Sequence, residues 1–331
     1  MTLHVHGLGH FHPENEITNR FLEELDIGTD EEWIMDRVGI RSRRTVLSLD
    51  YIRDTRNRDP SQAMEAALYT HADTGVLATE MALERAGITR DAIGMVIAGS
   101  SRPSFSTPAD ACHIADALGM EVPAFDINSA CTSMWVAMYM LSNMRPESLP
   151  DYVLLVAPES LTTSVDYDDR SASVLWGDCT AAAIVSTRVP SRVQVLDNTL
   201  QSSPAGYEKV VVPLFGHFNQ EGRTVQMFAI KKTVRCLRKI QESYPSAART
   251  LNFVGHQANL RMLESVCQQC DIDDERHYSN VVEFGNGGAA GAPSVVSMNW
   301  DGWTDQDEVA VIGVGSGLTW ASHVLRFGDQ Y

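Results

Sequence analysis

Residues 132–141 read Thr-Ser-Met-Trp-Val-Ala-Met-Tyr-Met-Leu, ten positions without a charge. The pattern predicts a helix over 132–143 that is apolar nearly all round, and such a helix is buried on every side rather than laid on a surface. Residues 287–296, Gly-Gly-Ala-Ala-Gly-Ala-Pro-Ser-Val-Val, are equally uncharged and rich in small side chains, which predicts a second buried helix over 288–298. An ordinary three-layer α/β domain keeps its helices on the outside of its sheet. Two buried helices imply instead a layered core with sheets on both outer flanks of them.

Outward from these two runs, short apolar strands alternate with helices, the pattern of α/β architecture. Strands are expected at 5–8, 92–98, 124–127, 152–157 and 181–186. Helices are expected at 74–86, closed by Gly87, and from the end of the loop 99–108 to Leu118, stopped by Gly119. The second half repeats the theme, with strands at 193–196, 253–255 and 309–314 and helices at 228–243 and 259–269. Each half ends on a glycine-marked turn into an apolar strand: Gly177-Asp178 before 181–186, and Gly315-Ser-Gly317 before 321–327. This echo points to a duplication. The seam falls near 187–191, giving halves 1–188 and 189–331.

The chain has 331 residues, 44% of them hydrophobic and 21% charged, enough for a large core. Its formal net charge of −17 repels phosphate backbones, so nucleic acid is not an expected partner. The first residues, Met-Thr-Leu-His-Val-His-Gly, lack the basic start and apolar run of a signal peptide. The longest apolar runs, such as 152–157, are too short to cross a bilayer. Six cysteines in a chain this long do not suggest a disulfide framework. The expectation is a cytoplasmic protein with free thiols.

Three positions could carry chemistry. Cys131 follows a strand and stands where a helix begins. Orphan N–H groups and partial positive charge there favour a thiolate, a good nucleophile for thioester exchange. The competing reading is a buried, inert cysteine. His256, in Gly-His-Gln-Ala-Asn (255–259), lies just past an apolar stretch, where a histidine can be acid, base or donor; the alternative is a satisfied loop histidine. Asn286, in Phe-Gly-Asn-Gly-Gly-Ala-Ala-Gly (284–291), offers an amide to an oxyanion. Its alternatives are an Asn-Gly tight turn and a phosphate-cradling loop, the latter without the Walker lysine or the dinucleotide spacing. Taken singly, the cysteine and the histidine favour the plain structural reading.

Taken in chain order, the three resemble the β-ketoacyl-acyl-carrier-protein synthase III family. Asp126-Ile-Asn-Ser-Ala-Cys131 looks like its nucleophile motif, His256-Gln-Ala-Asn-Leu-Arg261 like its histidine motif, and Gly285-Asn286 like its asparagine motif. Pro13-Glu-Asn15 with Thr18-Asn19, Glu32-Trp-Ile-Met-Asp-Arg-Val-Gly-Ile-Arg41, Gly177-Asp178 and Gly315-Ser-Gly-Leu-Thr-Trp320 resemble further segments in the same order, so the likeness spans nearly the whole chain.

The resemblance implies the thiolase fold, with two pseudo-duplicated halves in five αβαβα layers, and a homodimer. It implies acylation of Cys131 by an acyl thioester. A malonyl- or β-ketoacyl-type thioester then condenses with the acyl group while His256 and Asn286 donate to its carbonyl oxygen. The backbone N–H of Cys131 and one from the 315–317 turn, assigned to Gly317, would hold the tetrahedral intermediate. Trp33 and Arg170 fall where family members sandwich the adenine of coenzyme A, Arg37 beside them, and Asn259 where an amide meets the pantetheine arm. No tightly bound cofactor is implied; acyl-CoA and acyl-carrier-protein thioesters are the substrates.

Lys231, Lys232, Arg235, Arg238 and Lys239 recur at helical spacing and could form one face for an acidic carrier protein, with Arg37, Arg41, Arg43, Arg44 and Arg261 adding to the entrance; a solvated helix face is the plain alternative. Two departures concern the acyl group. Gly287-Gly288 stands where the family commonly has Thr-Ser, which would enlarge the pocket. Thr107 falls near the position where some members carry a phenylalanine that gates the neighbouring subunit's acyl pocket. Both point to a medium or long acyl donor. Cys267 with Cys270, and His4, His6, His10 and His12, are not expected to bind metal. Competing functions are a specialised acyltransferase, a head-to-head condensing enzyme of resorcinol, cyclohexanedione or pyrone type, and a non-catalytic partner subunit. The retained Cys, His and Asn favour carbon–carbon bond formation. A dehydrogenase reading rests on Gly7-Leu-Gly9 and lacks the full glycine fingerprint.

Overall fold

The computed structural model describes residues 2–214, 216–245 and 249–328. The main elements of the first half are β1 (Leu3–Phe11), α1 (His71–Ala86), β2 (Ile93–Ala98), α2 (Asp110–Ala117), β3 (Ala124–Asp126), α3 (Ser133–Ser142), β4 (Tyr152–Glu159) and β5 (Cys179–Ser186). Those of the second are β6 (Val193–Ser202), α4 (Gly222–Ser243), β7 (Thr250–Gly255), α5 (Leu260–Cys270), α6 (Gly288–Met298), β8 (Asp307–Gly315) and β9 (Thr319–Phe327).

The nine strands hydrogen-bond in the order β7-β8-β9-β6-β1-β5-β4-β2-β3. In the first half β2 runs parallel to β3 and β4, and β5 antiparallel to β4 and β1. In the second half β7 runs parallel to β8, and β9 antiparallel to β8 and β6. A parallel bridge from Phe253 to His277 stands where a counterpart of β3 belongs. The two halves are therefore the same topology written twice, joined where β1 pairs antiparallel with β6.

The helices explain the layers. α3 touches β1, β2 and β4 of one half and β6 and β9 of the other; α6 touches β1, β4 and β5, and β7 and β8. The apolar pair is thus the middle layer of five, with α1 and α2 outside one sheet half and α4 and α5 outside the other. Every residue of α6 from Gly288 to Ser297 is buried. α3 is buried through Met138, but Met140 near its end is exposed, so burial on every side fails in the last turn.

Close packing also accounts for Gly7 and Gly9. A Cβ at either would stand 2.1 Å from Ala82 O or 1.9 Å from Ala78 O, so the glycines let α1 lie directly on β1 and have nothing to do with a dinucleotide. α1 ends on Gly87 at φ 66°, as its sequence led us to expect, but begins at His71, three residues ahead of the expected 74, on a Thr70/Asp73 capping box. β6 runs six residues past the expected 196. Its polar continuation is held by register with β9, from Val193 opposite Phe327 to Ser202 opposite Thr319.

The largest departure from this symmetry is an insertion in the first half. Between β1 and α1 lie the short helices Asn19–Glu24, Glu31–Arg37, Leu49–Thr55 and Pro60–Ala66, and a ribbon pairing Asn15–Thr18 with Ser42–Thr45. They bury Ile17, Leu22, Ile34 and Ile52 in a separate core with Tyr167 and Trp176. Trp33 packs against that core, and Arg37 ends the same short helix. Among the described residues, no helix is long and apolar enough to cross a membrane.

Candidate active site

Residues 126–133 build the turn that carries Cys131. Asp126 ends β3 and accepts from the backbone N–H groups of Asp110 and Ala111 at 2.8 and 3.0 Å, tying β3 to the start of α2. Asn128 Oδ1 accepts from Ala130 N at 2.9 Å. Ser133 Oγ accepts from Ser129 N at 2.9 Å and donates to Ala130 O at 2.7 Å. Between these bonds Ala130 is held at φ 47°, a left-handed conformation that costs a residue with a Cβ roughly 1–3 kcal/mol. Gly315 closes on the same turn: a Cβ there would stand 3.2 Å from the nitrogen of Cys131.

The thiol does not behave as its place in the sequence led us to expect. Burial, reinforced by the Glu159 carboxylate, pushes Cys131 up to about 12 instead of lowering it. Residues 130–132 form a 3-10 turn and α3 proper starts at Ser133, so Cys131 precedes the α-helix rather than capping it. Ser101 Oγ, 3.8 Å away, is a polar neighbour of its sulfur.

His256 follows the end of β7. Burial pushes its imidazole down to about 4, so at neutral pH the ring is uncharged and has one N–H to give. Gln257 fixes this loop: its Oε1 accepts from Asn280 N and Val281 N at 3.0 and 3.2 Å, and its Nε2 donates to Gly255 O at 2.7 Å. Asn286 is pinned through its backbone, donating to Leu175 O at 2.8 Å and accepting from Gly177 N at 3.1 Å. Its side-chain oxygen accepts from Gly288 N at 3.1 Å. The amide N–H groups are what remain for a ligand.

Cys131, His256 and Asn286 line one cavity of about 420 Å³, with Trp33, Arg37 and Asn259 in the same wall. Asn259 also caps α5, its Oδ1 accepting from Met262 N at 2.8 Å. Arg170 stands with its guanidinium 4.7 Å from the centre of the Trp33 ring, in direct contact, and donates to Gly28 O. Gln220, Arg223 and Gln226 line the cavity too and were not anticipated. They sit at or beside the start of α4, six residues ahead of the helix start expected from the apolar pattern.

Other expected site residues lie elsewhere. Gly317 does not line the cavity; Gly315 and Ser316 do. Arg43 is wholly buried, not at an entrance. Its guanidinium donates to Val174 O and Asn19 Oδ1, and burial pushes it down to about 9. Lys231, Arg235, Arg238 and Lys239 share one shallow surface groove. Lys232 leaves that face, its ammonium 3.9 Å from the centre of the Trp320 ring. Arg261 is tied to the carbonyls of Met35 and Asp36 at 2.6 and 3.0 Å, and Arg41 pairs with Glu283. Thr107 is exposed in the segment before α2 and is not in the cavity wall.

Gly287 and Gly288 do not open space. A Cβ on Gly287 would meet Cys179 Cβ at 3.0 Å, and one on Gly288 would meet Glu159 Oε1 at 2.6 Å and Leu161 at 2.8 Å. The volume a Thr-Ser pair would fill is already taken, so these glycines carry no argument about acyl length. The β1 histidines have separate partners: His4 accepts from Ser191 N, His6 contacts Val189 O and His10 contacts Ser297 Oγ. Cys267 and Cys270 are buried in α5. Among the described residues no cluster of three His, Cys, Asp or Glu is placed to hold a metal.

A topology repeated around two enclosed helices, with a cysteine turn at its centre, is that of the thiolase-fold condensing enzymes, which are acyltransferases. The family description of 3-oxoacyl-[acyl-carrier-protein] synthase III matches residues 125–204, and that of its C-terminal part residues 250–327. A β-ketoacyl-[acyl-carrier-protein] synthase III of Bacillus anthracis is 30% identical over 332 residues, 99% of this chain and 100% of that protein. The crystal structure of the 3-oxoacyl-(acyl carrier protein) synthase III of Pseudomonas aeruginosa PAO1 matches with a TM-score of 0.85 at 26% identity over 100% of both chains. That of the priming β-ketosynthase of the R1128 polyketide pathway matches with a TM-score of 0.82 at 25% identity over 99% of this chain and 96% of that one. The chain belongs to the β-ketoacyl-[acyl-carrier-protein] synthase III family.

Proposed function

We propose that this enzyme acylates Cys131 from an acyl thioester and condenses that acyl group with a malonyl- or β-ketoacyl-type thioester, in fatty-acid or polyketide-like biosynthesis. The observation that carries the reading is the convergence of Cys131, His256 and Asn286, from three distant segments, on one cavity beside Trp33, Arg37 and Asn259. In the first half-reaction the Cys131 sulfur attacks the thioester carbonyl, and the backbone N–H groups of Cys131 and Ser316 receive the oxyanion. Ser316 takes the place expected for Gly317 because it is the residue in the cavity wall. In the second, the neutral His256 ring and the Asn286 amide donate to the incoming thioester oxygen as enolate charge builds there. Donors of this kind are typically worth roughly 100- to 1,000-fold in rate each.

For a coenzyme A thioester, Trp33 and Arg170 flank the adenine. Two stacking contacts need about 7 Å between the flanking groups. Arg170, at 4.7 Å, therefore swings away from the ring as the nucleotide enters. The Asn259 amide N–H faces the pantetheine arm. Lys231, Arg235 and Arg261 receive an acidic carrier protein, and Thr107 belongs to the acyl pocket of a second copy in a homodimer, leaving room for a medium or long acyl donor. Residues 1–188 and 189–331 act as the two halves, the first supplying the cysteine and the second the histidine and asparagine. The enzyme works in the cytoplasm on free thioester substrates without a tightly bound cofactor.

The test is intact-mass analysis after incubation with a panel of acyl-CoAs. The expected result is one acyl adduct, mapped to Cys131, and none on Cys131→Ala. No adduct from any chain length would refute the reading, and adducts confined to acetyl would refute the longer donor.

A further inference from the structure

Glu159 is the last residue of β4, it is buried, and nothing in the proposed chemistry uses it. A carboxylate in such a place is costly unless it is hydrogen-bonded. Here it accepts from Ser100 Oγ at 3.0 Å, from Ala289 N at 2.9 Å, and from both the backbone N–H and the hydroxyl of Ser101. Ala289 lies in the first turn of α6, an eleven-residue helix whose N-terminal end favours negative charge. Gly288, at φ 56°, leaves no room for a side chain between the helix start and the carboxylate.

Ser101 connects this group to the cysteine. Its Oγ lies 2.8 Å from Glu159 Oε1 and 3.8 Å from Cys131 Sγ. An ionised carboxylate only accepts, so the serine proton is spent on Glu159. What Ser101 presents to Cys131 is a lone pair, and the Cys131 thiol is the donor.

We propose that Ser101 and Glu159 form a relay that takes the proton from Cys131 during acylation and returns it to the departing thiol. This rests on the reading of Cys131 as nucleophile. The S–H bond of Cys131 breaks as Ser101 Oγ takes its proton and passes its own to Glu159. The sulfur electron pair forms the new bond to the acyl carbon. The carbon–sulfur bond of the thioester breaks, its electron pair leaves on the outgoing sulfur, and that thiolate regains the proton through Ser101. Acyl thioester and thiol give acyl-cysteine and free thiol, with nothing oxidised or reduced. Ser101 touches the reacting sulfur and is a catalytic residue; Glu159 acts through it and is a positioning residue. Burial also lifts the Glu159 carboxyl above the ordinary range, which strengthens it as a base. The titratable groups that feel its charge are Cys131, Cys179 of β5 and His71 of α1, the last paired with Asp110.

Two rates test this from about pH 5 to 9: acylation by acyl-CoA, and iodoacetamide alkylation of Cys131 followed by peptide mass. The relay predicts that Glu159→Gln and Ser101→Ala each slow both reactions at neutral pH, acylation by about 100-fold. Ser101→Thr, which keeps the hydroxyl, restores the rate to within about tenfold. The wild-type rates fall in acid as Glu159 takes up a proton, and Glu159→Gln loses that limb. A carboxylate acting through charge alone has the opposite sign, because removing it eases thiolate formation. Unchanged or faster alkylation in Glu159→Gln overturns the relay; should that variant fail to fold, the same result in Ser101→Ala overturns it. A wild-type protein that never acylates but shows the alkylation pattern would refute the acyl-transfer reading and leave standing the removal of the Cys131 proton through Ser101 and Glu159. Acylation with unaltered variant rates would do the reverse.

Discussion

His323 of β9 is fully buried beside Trp135, ring centroids 5.2 Å apart, and burial pushes its imidazole down to about 3. The sign follows from linkage. The unfolded chain takes up a proton near the ordinary histidine value of about 6.5, and the folded chain does not until far lower. Stability is therefore complete above that value and is lost as pH falls toward the folded pKa. Asp178, lifted by burial to about 6, works against this in the same range, so a variant isolates the histidine. His323→Leu should gain about 2–3 kcal/mol relative to the wild type on going from about pH 7.5 to 4.5. Denaturant unfolding at the two pH values measures it, and a difference independent of pH would contradict the burial.

The same scale shows what single residues reveal in a sequence. That Cys131, His256 and Asn286 belong together was legible because motif and chain order constrain each of them, and they line one cavity. Glu159 and Ser101 were not: their significance lies in contacts between segments 58 residues apart. An acid just past the apolar run 152–157 was the available signal. Arg43 and Lys232 were misread because exposure is the ordinary fate of a cation. One is consumed by carbonyls of the core, and the other rests on an aromatic face.

At the scale of elements, the helices and strands were readable where burial is one-sided or complete. α1 announced its C-terminal end through Gly87, whereas its start at His71 lies three residues ahead of the expected 74, because the Thr70/Asp73 capping box begins the helix before the apolar pattern does. α3 and α6 announced their burial by carrying no charge. β6 beyond Leu196 was not readable, since its polar residues are strand by virtue of β9 beside them. The packing of α1 on β1 has a sharp consequence. In Gly9→Ala the new methyl would fall 1.9 Å from the Ala78 carbonyl oxygen, so helix and strand must separate. The expected cost is at least about 3 kcal/mol in chemical denaturation. A loss of under about 1 kcal/mol would mean that the helix does not lie this close.

At the scale of the whole molecule, the duplication was visible as an echo of glycine turns. It became a topology once the strand orders β3-β2-β4-β5-β1 and β7-β8-β9-β6 could be laid side by side. The insertion between β1 and α1 is much longer than its counterpart between β6 and α4, which among the described residues is a 3-10 turn at Pro204–Lys209 and a two-residue ribbon pairing Val210–Val211 with Asn219–Gln220, and it brings Trp33 and Arg37 to the cavity. The halves meet so that a cysteine from one faces a histidine and an asparagine from the other across a single space. Under the proposed chemistry, acylation draws on the first half and condensation on the second, so the two steps should be separable. The direct measurement is a chase: protein carrying an acyl group on Cys131 is given a malonyl thioester, and adduct mass and product are followed together. The account predicts that the wild type loses the adduct as β-ketoacyl product appears, while His256→Ala and Asn286→Ala acylate normally and lose it roughly 100-fold more slowly or worse. An adduct that the wild type sheds only to water, or that both variants turn over at the wild-type rate, would contradict it.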